Sequence, residues 1–430
     1  MAGQLQLMTS GSQDRYFTRN PDYSHFIEAH RKHANFSTQY IDLDPENGDA
    51  DFGRKVRFRI PQNQGDLLKT LSVKMTLPEI PGLPIYIESV GHAIIEHADL
   101  IIGGTIVQRL TSDYLQIYSE HNVTQTKQKA LEQLIGKYPL RTTDRRVGEV
   151  TTGGSSGNIG IIIHGTLGAD SDENFFVDLP FYFYNHPELA IPLCAITKQE
   201  VEIELTLRKA QDIMVTLSGG RVTSPPEIHI KEFKLCTEVV FLDTAERKKM
   251  QKMKKDYIIT QLQENVFDVG PGVNEGKFHL DFRNPVKELY FVIQRHGDSV
   301  TPFDYDNTEL TIDNKRILYE NLDYLTLAFD GEDIITQETG TVLFLKAVQA
   351  AIHHSKTQLI RRFYSYSFAL QPEESYPTGQ VNLSNIKEQV LYLKLTPCPS
   401  FARQIRVYAV NHNILRVGEG IAKTLFTLKY

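Results

Sequence analysis

The sequence predicts an all-β protein built as two similar β-sandwiches in tandem. Three observations carry that reading: short alternating strand-like runs recur along the chain, few stretches look helical, and the order of parts in the first half returns in the second. At 430 residues the chain exceeds one ordinary core, so two domains of roughly 200 residues each are expected. Tyr (20) and Phe (22) are plentiful and Trp is absent, an aromatic content that suits sheets better than helical bundles.

In chain order, residues 1–26 form an arm with little sheet periodicity, and a short helix is expected after Pro21, carrying Phe26, Ile27 and Ala34. The first domain, 27–216, contains the strand-like runs KVRFRIP, LKTLSVKMTL, ADLIIGGTIVQRL, FFVDLPFYFY and QEVEIELTLR. Between them a long excursion at 116–175 holds one helical stretch, TKQKALEQLIGKY, and a Gly/Ser-rich tip at 151–160. The Gly, Ser and Pro content of 217–226 marks a linker. The second domain, 227–430, opens with a short helix capped by Asp243 with Glu246 three residues on. It continues with KFHLDF, KELYFVIQ, TELTIDNKRIL, TVLFLKA, FYSYSFAL, VLYLKL and QIRVYAV.

The duplication rests on two alignments. FYFYNHPELAIPLCAITKQEVEIELTL (181–207) and the segment 364–395 share an aromatic strand, a Pro-containing corner and an alternating strand. DLIIGGTIVQRLTSDYL (99–115) aligns without gaps on ELTIDNKRILYENLDYL (309–325), with Leu100/Leu310, Ile102/Ile312, Asp113/Asp323, Tyr114/Tyr324 and Leu115/Leu325 identical. Similarity at half the chain length points to two copies of one domain, not to a solenoid.

Composition narrows function. Hydrophobic content of 41%, charged content of 23% and a net charge of −7 describe a soluble globular chain and argue against wholesale coating of nucleic acid. Cys194, Cys236 and Cys398 are too scattered for a disulfide framework or a zinc site. No signal peptide and no membrane-spanning run is expected, so the sequons at Asn35, Asn122 and Asn382 are coincidental. The histidine pairs His92/His97, His30/His33 and His353/His354 lack metal-ligand spacing, and Gly103-Gly104 reads as a hairpin turn, not a phosphate loop. No residue is assigned a catalytic, cofactor-binding or metal-binding role. One basic cluster, RKKMQKMKK at 247–255, carries six positive charges in nine residues. It suits phosphates or an acidic membrane face, and equally a solvated helix face with Met250 and Met253 turned inward.

Several segments together are identified with one family. GSQDRYFTRNPDYSHFIEAHRKHANF (11–36) resembles the N-terminal signature of the major capsid proteins of nucleo-cytoplasmic large DNA viruses, phycodnavirus or iridovirus type. PELAIPLCAITKQEVEI, FLDTAERKKM, YSFALQPEESYPTGQVNLSNI and VYAVNHNILRVGEGIAKTLF are similar to later family segments, so the resemblance spans nearly the whole chain. It implies two eight-stranded jelly rolls side by side (a double jelly roll). It further implies a non-enzymatic homotrimer that forms pseudo-hexagonal capsomers of a large icosahedral double-stranded DNA virus. Implied partners are neighbouring capsomers, minor capsid and penton proteins, and an internal viral membrane reached through the N-terminal arm, with no specific nucleic acid. The implied location is the virion shell, assembled in host cytoplasm. By the same resemblance, the 116–175 excursion and a loop near 326–340 decorate the outer face or lock neighbours. The competing readings are a two-jelly-roll carbohydrate-acting enzyme or lectin, needing paired carboxylates in a cleft, and a minor capsid protein of the same fold.

Overall fold

The computed structural model describes residues 2–28, 30, 32–78, 80, 85–137, 173–215, 221–297, 302–305, 311–312, 315–316, 320–355, 362–396 and 401–428. The 151–160 tip, Cys398 and part of the linker lie outside them.

Residues 1–36 form one unit and residues 37–430 another. In the first, two short helices, α1 (Ala2–Met8) and α2 (Asp14–Thr18), bury no side chain. The helix expected after Pro21 is absent from the described residues. Phe26 and Ile27 are exposed, and a short segment with no apolar face to bury has little to hold it helical.

The second unit contains two pairs of sheets that share one four-strand plan. The first sandwich has strands β1 (Phe36–Leu43), β2 (Lys55–Arg59), β3 (Leu67–Leu77), β4 (Ile95–Ile102), β5 (Thr105–Thr111), β6 (Glu173–Asp178), β7 (Val201–Leu207) and β8 (Glu232–Leu242). They form the sheets β1-β8-β3-β6 and β2-β7-β4-β5. The second has β9 (Lys255–Val269), β10 (Glu275–His279), β11 (Pro285–His296), β12 (Leu322–Phe329), β13 (Glu332–Ile335), β14 (Phe363–Ser367), β15 (Gln389–Leu395) and β16 (Ala402–Gly418). Their sheets are β9-β16-β11-β14 and β10-β15-β12-β13, the same order with every label raised by eight. Two eight-stranded jelly rolls are therefore present, as the sequence predicts.

Alternation builds each strand. In β7, Val201, Ile203, Leu205 and Leu207 point into the core, while Glu204 on the other face pairs with Lys55 (3.1 Å) and Arg57 (2.9 Å) of β2. The strand β11 differs: it is buried along nearly all its length. Leu289, Phe291 and Ile293 enter the second sandwich's core, whereas Tyr290 and Val292 join the larger cluster built around the first sandwich. In β16, Ile405, Val407 and Ala409 split from Tyr408 and Val410 in the same way. One sheet thus has apolar side chains on both faces because its back packs against the other sandwich.

Three sequence readings shift. The strand β8 follows the 217–226 stretch expected as the linker, yet it pairs with β3 throughout and so completes the first sandwich. The ungapped 99–115/309–325 alignment sets the β4–β5 hairpin on the small hairpin 311–316. The topological counterpart is β12–β13, whose turn Asp330-Gly331 replaces Gly103-Gly104, all four at positive φ. The region near 326–340, expected as a loop, is largely that hairpin. The corner alignment holds: 181–200 joins β6 to β7, and 368–388 joins β14 to β15.

Candidate functional site

The helices carry the polar chemistry. A short buried helix, α3 (Val90–Ile94), precedes β4; after β5, Thr111 caps α4 (Ser112–His121), its hydroxyl accepting from the Tyr114 amide at 3.3 Å. The helix buries Asp113, Gln116, Ser119, Glu120 and His121. A second helix, α5 (Gln125–Ile135), follows where TKQKALEQLIGKY predicts one. The start of the expected 116–175 excursion is therefore packed helix.

Asp113 meets the second sandwich. Its Oδ2 accepts from Arg406 Nη1 at 2.7 Å and lies 3.1 Å from the Tyr408 hydroxyl, and Tyr305 donates to its Oδ1. Tyr408 also reaches Glu264 at 2.9 Å, so its one proton is shared between two carboxylates. Burial pushes Glu264 up, and the neighbouring Asp113 charge adds to that. Burial alone would lower the Arg406 pKa, but Asp113, Tyr408 and Glu264 hold it above its ordinary value. Nearby, Gln261 of β9 donates to the Val107 carbonyl of β5 at 2.6 Å.

At the other end of α4, His121 sits in edge contact with His354, ring centroids 5.0 Å apart. His354 closes α7 (Gln349–His353), the end of a helix whose preceding turn, Phe344–Val348, is wound as π-helix. His354 Nε2 lies 3.4 Å from Glu288 and its Nδ1 3.5 Å from Glu373, while Tyr290 donates to Glu288 at 3.1 Å. Burial would lower the His354 pKa; its contacts with Glu288 and Glu373 overcome that and raise it to about 9. Burial and the His354 charge outweigh the Ile117 carbonyl and the more distant Glu288 and Glu373 charges, and take His121 down to about 3. Its Nδ1 faces the Ile117 carbonyl at 3.1 Å, leaving a buried Nε2 with no hydrogen-bond partner among the described residues.

The two corners complete this seam. Glu188 of the first hydrogen-bonds Ser375 of the second, and that bond holds its carboxyl below the ordinary range. Lys287 donates to the Pro372 carbonyl at 2.5 Å. The repeated corners, 190 residues apart in sequence by rough count, are in contact. These carboxylates and histidines are engaged with one another and with Arg406, Tyr290 and Tyr408 between the sandwiches.

Other sequence candidates are dispersed. His92 is buried, His97 bonds Thr206 at 3.0 Å, and His30 and His33 lie in the arm. Among the described residues no group of three or more potential ligands gathers around a metal position. Cys194 and Cys236 are free, and burial raises both thiols to about 11, well outside the reactive range. RKKMQKMKK begins inside α6 (Thr244–Lys252) and runs on to Lys255, the first residue of β9; the helix is capped by the Asp243 carboxylate on the Thr244 amide at 2.7 Å. Sequence reasoning missed the seam, because Asp113, Glu288, His354 and Arg406 carry no motif.

Two groups of exposed large apolar side chains stand out among the described residues. One is the arm, with Leu7, Tyr16, Phe17 and Phe26. The other lies on and beside the α7 helix: Leu343, Ile352, Leu370 and Tyr376. His353 Nδ1 contacts the Leu370 carbonyl at 3.2 Å, which ties that helix to the second corner.

Two family descriptions match the chain: "Major capsid protein N-terminus" over residues 24–258, and "Large eukaryotic DNA virus major capsid protein" over 246–423. The major capsid protein of Pyramimonas orientalis virus is 29% identical over 427 residues, covering 97% of this chain and 98% of the relative. That of Paramecium bursaria Chlorella virus 1 is 24% identical over 474 residues, covering 98% of both. Among solved structures, PBCV-1 VP54 superposes with a TM-score of 0.74 at 19% identity over 94% of this chain and all of that one. The Faustovirus major capsid protein gives 0.69 at 15% identity, over 95% of this chain and 94% of its own. At those identities the two structures speak for the fold.

Proposed function

The chain belongs to the major capsid protein family of large eukaryotic DNA viruses, and from that premise we propose that it builds the shell as a homotrimeric, pseudo-hexagonal capsomer. Two jelly rolls per chain give six per trimer, which is what a near-hexagonal outline needs. The observation that carries this reading is the seam. It fuses two sandwiches into one body with both faces of a sheet buried, a unit suited to tiling. The apolar group at Leu343, Ile352, Leu370 and Tyr376 is the kind of surface that a neighbouring copy covers.

We divide the domains at Asp243, between β8 and α6, a reading supported by the pairing of β8 with β3. We place the arm at the inner face, against minor capsid proteins or the internal membrane, because its apolar side chains are exposed along most of its length. Neighbouring capsomers and penton proteins are the remaining partners, with assembly in host cytoplasm. Light scattering on a sizing column tests the central claim. Three times 49.0 kDa, about 147 kDa, is expected. A monomer at micromolar concentration that binds glycans would overturn it in favour of a lectin or carbohydrate-acting enzyme.

A further inference from the structure

The basic cluster is left unused by the seam, and the fold surrounds it with more lysine. In α6, Lys248, Lys249 and Lys252 are exposed and make no ion pair among the described residues. Arg247 is taken up by Asp66 at 2.7 Å. The turn that follows β16 comes to the same place. Gly418 packs on Lys254, Lys254 pairs with Glu419 at 2.5 Å, and the Lys198 amide donates to the Gly420 carbonyl at 3.0 Å. Beyond the turn, β17 (Ile421–Thr424) runs back along β16 with Ile421 and Lys423 outward and Ala422 buried. Lys198, Lys248, Lys249, Lys252, Lys254 and Lys423 thus share one end of a chain whose net charge is −7; the acidic residues beside them are Asp243 at the cap of α6, Glu246 within it, Glu419 paired with Lys254, and Asp256 paired with Arg416.

Apolar atoms sit between these charges. Met253 and Ile421 are exposed by more than a third, and beneath Met253 a shallow cleft is lined by Pro192, Ala195, Met250, Tyr257 and Val417. Lysine without free arginine supplies mobile point charges and no planar fork for bidentate recognition of single phosphates or bases. Lysines around protruding Met and Ile suit a diffuse anionic surface that also accepts apolar side chains. Duplex nucleic acid offers nothing to Met253 or Ile421, and the acidic remainder of the chain repels it.

We infer that this end, α6 with the β16–β17 turn, is a docking surface for anionic phospholipid headgroups. The reading stands on the patch itself and holds whether or not the chain trimerises. Flotation of the full chain with vesicles tests it, using phosphatidylcholine alone or with about 30% phosphatidylserine at about 0.1 M salt. Binding is expected to the anionic vesicles only, fading as salt rises. The combined substitution Lys248→Gln, Lys249→Gln and Lys252→Gln, at exposed side chains, is expected to weaken it on the order of 100-fold. Met253→Ser with Ile421→Ser should weaken it further while leaving the salt dependence. The inference is overturned if wild type ignores anionic vesicles, if its binding is insensitive to salt, if the triple variant floats as wild type does, or if equal phosphate as duplex DNA competes the vesicles away.

Discussion

His121 and His354 show how one buried contact can be read as a pH dependence. His354 holds its proton more tightly folded than unfolded, being raised to about 9. Its stabilisation is complete below about 6.5 and is lost as pH rises through 9. His121, taken down to about 3, resists the proton when folded, so acidification below about 6.5 favours the unfolded chain until pH 3. The pair predicts a thermal midpoint highest near pH 6.5 and falling on both sides, measurable by calorimetry across buffers. His354→Ala should remove the alkaline contribution. It should also lower stability by about 3–5 kcal/mol, because Glu288 would be left buried without its cation. A variant with unchanged midpoint at pH 7 would show that the Glu288 charge is satisfied elsewhere. Asp113 and Arg406 make a parallel case: Arg406→Met and Asp113→Asn should each destabilise. Together they should cost less than their sum, a coupling of about 0.5–3 kcal/mol by double-mutant cycle in urea.

At the scale of elements, strands and corners were legible because their signals are local: alternation for β7 and β15, Pro and Gly for the corners. Register between the halves was not. Five identities among Leu, Ile, Asp and Tyr outweighed the true pairing of Gly103-Gly104 with Asp330-Gly331, since any two-residue turn at positive φ serves a hairpin. The membership of β8 was equally hidden, because pairing with β3 is decided some 165 residues away in sequence, after a stretch that reads as a linker. The seam was invisible for the same reason. Within the second corner, Gly379 is the position the geometry constrains most. Its φ is +142°, and a Cβ there would lie 2.8 Å from the Phe368 carbonyl oxygen, which is backbone and cannot swing aside. Gly379→Ala is expected to cost about 1–3 kcal/mol and to speed proteolysis between β14 and β15. Wild-type cleavage rates would mean that the corner tolerates a different path.

At the scale of the whole molecule, the back of the β9-β16-β11-β14 sheet decides whether two jelly rolls behave as two proteins or one. Tyr290, Val292, Tyr408 and Val410 on that face are nearly inaccessible, and they belong to the cluster that also holds the core of the first sandwich. A free second sandwich would present those side chains to water, at about 25 cal/mol for each Å² of apolar surface. It would also strand Arg406, Glu264 and the Tyr408 hydroxyl without Asp113. Tandem domains joined by a small polar interface unfold separately; a seam of this kind argues for a single transition. Residues 37–243 and 244–430 expressed apart should therefore each be aggregation-prone or molten, with weak near-ultraviolet dichroism and binding of a hydrophobic dye. Mixed during refolding, they should recover native dichroism together. Two soluble halves with separate cooperative transitions would refute the fused body, and with it the rigid tile on which the capsomer reading depends. The arm offers the contrast. With no buried side chain in α1 or α2, deletion of residues 1–26 should move the thermal midpoint by no more than a surface change does, within about 0.5 kcal/mol, yet impair shell assembly. Shell assembly that proceeds unchanged without those residues would remove the arm from the contacts that hold the shell, leaving the fused sandwiches to supply them all.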